Sequence, residues 1–123
     1  MKIVLSVLLT FCWYFGIGQN TLLGIWEGAL KLPQQELKIV FTFSENEGHA
    51  AALLNVPQQS PISIPADTVN ITAKNVYVRF KKFKIEFRGS LINDTTISGT
   101  FLQGAEFPLL LTKTDKVDKV ELP

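Results

Sequence analysis

The chain has a single cysteine, Cys12, inside an apolar stretch near its N-terminus. No second thiol exists to pair with it, so an intrachain disulfide and a multi-cysteine metal or redox site are excluded. Histidine is as scarce: His49 is the only one, and no G-x-S-x-G sequence occurs. Nucleophilic hydrolysis needs a Ser, Cys or Thr beside a positioned base. A lone histidine next to Gly48 reads instead as a strand-start residue. One histidine and dispersed carboxylates also give no metal-ligand spacing, and no cofactor motif is present. Charge of one sign is lacking too, with 12 Lys and Arg against 11 Asp and Glu. A near-neutral chain carries no general argument for nucleic acid or acidic lipid. The expectation is a non-enzymatic protein with no catalytic residues, no metal, no cofactor and no nucleic-acid partner.

What is present begins with a leader-like segment. Lys2 is followed by the mainly apolar run Ile3–Phe15 and then by Gly16-Ile17-Gly18. A short positive start, an apolar core and small residues at −3 and −1 predict a signal peptide over residues 1–18, cleaved before Gln19. The run falls short of the roughly 20 residues that span a bilayer, so no stable membrane anchor is expected after cleavage. Phe11 is too large to precede a lipidated Cys12. The expected location is secreted or periplasmic. Without Lys2, 11 basic residues face 11 acidic ones.

From residue 19 onward apolar residues recur with period two, and turn residues interrupt them every 8–12 positions. That pattern predicts an all-β protein of about eight strands. The expected inward faces are Leu22, Trp26 and Leu30; Leu37, Ile39, Phe41 and Phe43; Ala50, Ala52 and Leu54; Val69 and Ile71; Val76, Val78 and Phe80; Phe83, Ile85, Phe87 and Leu91; Ile97 and Phe101; and Phe107, Leu109 and Leu111. Gly28, Gly89 and Gly99 share those faces with Trp26, Phe87 and Phe101. Glycines there let strands bend while rings cover the bared backbone. The parity flips between Phe80 and Phe83, which predicts either a two-residue turn at Lys81-Lys82 or a bulge. Pro65 forbids a central ladder position. Sequential hairpins of this number close most simply into a small antiparallel barrel. The domain plan is signal peptide 1–18, barrel module 19–113, and a C-terminal tail or truncated linker 114–123.

Three residues stand out as ligand contacts. Gln103 continues an inward parity where the chain opens into Gly104, and Gln59 sits in the loop Pro57–Pro61; both are expected at the rim of the barrel. The alternative for Gln103 is a backbone-bonding amide that fixes the 103–106 turn. Trp26 is expected either in the core or as a wall of a ligand pocket. The basic stretch RFKKFKIEFR (79–88) interleaves charges with phenylalanines on opposite faces, so its rings are expected in the core and its charges in solvent; the alternative is a basic face for an anionic polysaccharide, an anionic lipid or an acidic partner. A glycosidase-type carboxylate pair, Glu27 with Glu106, is left open by sequence against the reading of two surface carboxylates.

The order G-x-W-x-G-x-L (Gly24, Trp26, Gly28, Leu30), P-x-Q (Pro57, Gln59), Ile64-Pro65, aromatic-x-G-x-L (Phe87, Gly89, Leu91), Gly99-Thr100-Phe101-x-Gln103-Gly104 and P-L-x-L (Pro108, Leu109, Leu111) resembles a secreted bacterial module. That module stands ahead of α/β-hydrolase domains of the serine esterase or peptidase-like kind. The likeness covers residues 22–113. The G-x-W start is similar, more loosely, to lipocalin-like barrels, although the sequence pattern does not locate the basic residue that usually covers the tryptophan there. The resemblance implies a β-barrel accessory module, with an α/β-hydrolase domain as its partner and the catalytic residues on that partner. Two functions stay open: holding a small apolar or amphipathic ligand at the open end, or docking on and stabilising the hydrolase. The latter predicts an outer apolar patch of Ile25, Ala29, Val40, Leu102 and Leu110. The N-terminal piece of a split hydrolase gene is a further reading of the same likeness.

Overall fold

The computed structural model describes residues 21–114. The expected signal peptide and all but the first residue of the expected tail lie outside them. Thr114 is the last residue of a strand.

Nine antiparallel strands form one curled sheet: β1 Gly24–Lys31, β2 Glu36–Asn46, β3 His49–Asn55, β4 Ile64–Pro65, β5 Thr68–Thr72, β6 Asn75–Phe80, β7 Ile85–Asn93, β8 Thr96–Leu102 and β9 Glu106–Thr114. Their order across the sheet is β4-β3-β2-β1-β9-β8-β7-β6-β5. Neighbours in this order are consecutive in the chain except at one place. The last strand returns beside the first, where Ile25–Glu27 pair with Thr112–Thr114. The two ends of the order meet at a single extended segment, 64–72. Its first half pairs with β3 and its second half with β6. Between the halves, Ala66 N–H donates to Ala52 O (3.0 Å) and Asp67 N–H to Arg79 O (2.8 Å). Counting 64–72 as one strand leaves eight, in up-and-down order, which is a barrel-like all-β fold. Pro65 has no N–H to give, and the segment changes partners just after it.

Period two sorts the side chains as expected. Trp26, Leu30, Ile39, Phe41, Phe43, Leu54, Val78, Phe80, Phe87, Ile97, Phe101, Leu109 and Leu111 are buried in one core. Phe41 is its hub, with ring centroids 5.1 Å from Phe87, 5.7 Å from Phe43 and 6.4 Å from Phe80. Gly89 and Gly99 face each other across β7 and β8. A Cβ on Gly99 would lie 2.6 Å from Cζ of Phe87, and one on Gly89 2.9 Å from the same atom. The Phe87 ring therefore occupies the space that both glycines vacate. At Gly89 and Gly99 the glycine–aromatic pattern is architectural; at Gly28 an added Cβ would meet the Leu110 carbonyl and the Leu111 side chain, not the Trp26 ring.

Two expectations change. Phe83 is not an inward strand residue: Lys81–Phe83 form a 3₁₀ turn, Lys84 takes a left-handed conformation (φ 55°), and Phe80 pairs directly with Ile85. A four-residue connection, not Lys81-Lys82 alone, makes the parity flip, and Phe83 is left 43 % exposed. Val40 points outward by alternation yet is 1 % exposed. It lies across from Glu27 and Asn55, two residues from where the loop residue Gln58 is anchored to β2.

Candidate functional site

The connections differ between the two ends of the fold. At one end the register leaves two residues in each turn: Glu47-Gly48, Ala73-Lys74 and Asp94-Thr95. At the other the connections are longer: 32–35, 56–63, 81–84 and 103–105.

At the two-residue end the core around Trp26 is filled. Trp26 is fully buried, and its Nε1–H donates to Leu22 O at 3.1 Å. The Lys113 ammonium sits 5.4 Å from the Trp26 ring centroid and donates to Thr21 O at 2.8 Å. Lys113 thus caps the ring and ties the chain entering β1 to the end of β9. A cation over an indole face is attracted by the ring quadrupole.

The long-loop end, or mouth, holds a cavity of about 330 Å³. Ten apolar side chains and three polar ones line it. Strand positions supply Leu30, Leu37, Ile39, Leu54, Ile64, Ile85 and Phe101. The loops add Val56, Gln59, Ser60, Ile62, Phe83 and Gln103. Ile62 and Phe83 are 66 % and 43 % exposed, so the lips of the cavity are apolar and open to water. Two other depressions, of about 480 and 590 Å³, lie on the outer face and are walled mainly by polar or charged side chains and backbone. A third, of about 430 Å³, lies between the two-residue turns and is lined by Leu23, Glu45, Gly48, Ala50, Ile71, Thr72 and Ala73.

Gln59 and Gln103 come together in this cavity although 44 positions separate them. Both are exposed. Gln103 uses its backbone in the turn, where its N–H donates to Ala105 O at 3.0 Å. Among the described residues neither side-chain amide has a hydrogen-bond partner. The backbone-fixing glutamine is a different one. Gln58 accepts from Lys38 N–H (2.6 Å) and donates to Glu36 O (3.1 Å), extending the ladder where β3 stops short of β2. Trp26 is not among the lining residues and belongs to the filled end.

Sequence reasoning missed Phe83, Ile62 and Lys113. Phe83 and Ile62 carry loop or turn neighbours that could have placed them at the rim. Lys113 becomes visible only once β9 is known to lie beside β1.

The other candidates do not assemble. His49 is exposed at the start of β3, opposite Asn46. Glu27 is ion-paired with Lys38 at 3.1 Å. Glu106 begins β9, six positions from the partner of Glu27, or about 20 Å along a strand. Among the described residues no group of three or more His, Cys, Asp or Glu could hold a metal ion, and no helix is long and apolar enough to cross a membrane. Of the expected outer patch, Val40 is buried, Ile25 and Leu102 are half-buried, and Ala29 and Leu110 are exposed. Comparison with family models, curated proteins and solved structures finds no match to this chain.

Proposed function

We propose that the chain is a non-catalytic binding module that holds a small apolar or amphipathic ligand at its mouth. The observation that carries this reading is the 330 Å³ cavity, apolar in its walls, with two amides at its rim that have no partner among the described residues. Its size is near the lower end of the roughly 300–1,000 Å³ usual for ligand pockets, and apolar walls with a few convergent polar groups are their usual make-up. Burial of the ligand in this pocket would supply affinity, and Gln59 and Gln103 would orient its polar end.

The likeness to lipocalin-like barrels is supported by Lys113 over Trp26, the basic cover that the sequence pattern alone does not reveal. As an accessory module the chain would act beside an α/β-hydrolase, the partner implied by the resemblance. The expected docking patch loses Val40 to burial, so the mouth is the stronger site.

The test is titration with N-phenyl-1-naphthylamine, a neutral probe that brightens in apolar surroundings. Saturable enhancement at one probe per chain is expected. Ile62→Asp, a change at an exposed lip, is expected to weaken binding about tenfold, the effect of roughly 1.4 kcal/mol, with little change in thermal midpoint. No saturable signal, or an unchanged affinity in the variant, would overturn the reading.

A further inference from the structure

We infer that the ligand of this cavity is an amphiphile with an anionic head, recognised by the lysines of the turn 81–84; this rests on the mouth being the binding site. The mouth loops are electrically one-sided. Connections 32–35, 56–63 and 103–105 carry no charged residue, whereas 81–84 reads Lys-Lys-Phe-Lys. Phe83 lines the cavity, and Lys82 and Lys84 flank it in sequence. All four residues of the turn are exposed.

The neighbouring cations of the same basic stretch are already answered. Arg79 and Arg88 both face Glu86, at 3.9 and 3.3 Å. Among the described residues Lys81, Lys82 and Lys84 have no ion-pair partner. The carboxylates at this end are committed elsewhere or lie on another strand. Glu36 faces Lys31 at 4.0 Å. Asp67 accepts from the backbone N–H of Lys81 at 2.6 Å, and so fixes the turn rather than its side chains. Glu106 starts β9 opposite Leu102, which also pairs with Glu86, so it lies two strands, or about 10 Å, from the start of β7. An apolar pocket lined by Phe83, in an exposed turn whose three lysines have no ion-pair partner among the described residues, complements a molecule with an apolar body and a carboxylate, sulfonate or phosphate end.

The experiment compares three single-chain ligands with the same tail below their micellar concentrations: dodecanoate, dodecanol and dodecyltrimethylammonium. Binding is read by displacement of N-phenyl-1-naphthylamine and independently by calorimetry. Dodecanoate is expected to bind roughly five- to tenfold more tightly than dodecanol at low salt, as befits exposed charges. The cationic ligand is expected to bind weakest. The preference should shrink with added salt and fall to near one in the double variant Lys82→Gln, Lys84→Gln, whose fold is checked by its thermal midpoint. Equal binding of dodecanoate and dodecanol overturns the charge reading and leaves the cavity. A preference that survives the double substitution overturns the role of the lysines. Failure of all three ligands, by both methods, overturns the cavity and the charge reading together. Binding to phosphatidylglycerol vesicles without displacement of the naphthylamine overturns the proposal in favour of a surface contact.

Discussion

The two ends of this fold are made from the same strands and have opposite characters. At the Trp26 end the connections are two residues long, and large rings fill the core beneath a depression of about 430 Å³ between the Gly48 and Ala73 turns. Lys113 bonds Thr21 and Trp26 bonds Leu22, so the chain entering β1 closes that end. At the mouth the connections run from three to eight residues, and the inward positions carry mostly aliphatic side chains. Alternation places a side chain inside; its bulk, and what closes the end above it, decide whether the inside is solid. One inward step along β2, from Phe41 to Ile39, separates the ring cluster from the cavity wall.

The largest expected effect attacks the filled end. Trp26→Ala should cost about 3–5 kcal/mol, the usual range for removing a buried ring. It deletes the indole and leaves Lys113 without its ring. A domain with a total stability of roughly 5–15 kcal/mol would then be close to unfolding, so the measurement is urea denaturation at low temperature. Phe83→Ala, at the mouth, should cost less than about 1 kcal/mol, because that ring is 43 % exposed. Equal costs for the two would erase the distinction between a solid end and a hollow one.

The next effect lies between the ends, where Gly89 and Gly99 pair beneath Phe87. Gly99→Ala should destabilise by roughly 1–3 kcal/mol, the cost of overpacking. The added methyl meets both the Arg88 carbonyl and the Phe87 ring. The ring can turn; the strand backbone cannot move without disturbing the ladder. Chemical denaturation reads the loss. A neutral outcome would show that the strands have slack at this point and that the ring is not filling a fixed gap.

These contrasts also mark what the sequence could reveal. The inward faces were legible because a half-buried strand must alternate, and nearly every predicted core residue is buried or half-buried. Gln103 could be placed at the rim because an inward run gives way to Gly104 there, and Gln59 because it sits in the loop Pro57–Pro61; both line the cavity. Phe83 was misplaced because period two continues through KKFKIEF in the letters, while the chain makes a 3₁₀ turn there. Val40 broke the alternation, since burial on an outer face depends on what covers it, and local sequence does not carry that. Trp26 was legible as inward but not as remote from the cavity. Which end of a strand is open follows from the loop lengths on both sides of the whole sheet. Lys113 lies 87 positions from Trp26, and only the return of β9 beside β1 brings them together.

The smallest expected effect sharpens the comparison most directly. The β2–β3 turn at the filled end has positive φ at both central residues, Glu47 at 54° and Gly48 at 82°. A turn of this hand suits the twist of a hairpin and favours Asn-Gly. Glutamate is strained there, because its Cβ crowds the backbone in the left-handed region, whereas asparagine visits it readily. Glu47→Asn should therefore stabilise by about 0.5–1 kcal/mol, which for a domain of this size raises the thermal midpoint by a few degrees. Calorimetry or a thermal melt by circular dichroism measures it. The same variant should bind the naphthylamine probe with unaltered affinity, because the turn lies at the far end from the cavity and touches none of its walls. A stabilised protein whose mouth binds differently would mean that the two ends are coupled through the strands, and that the hollow end is held open by strain in the filled one.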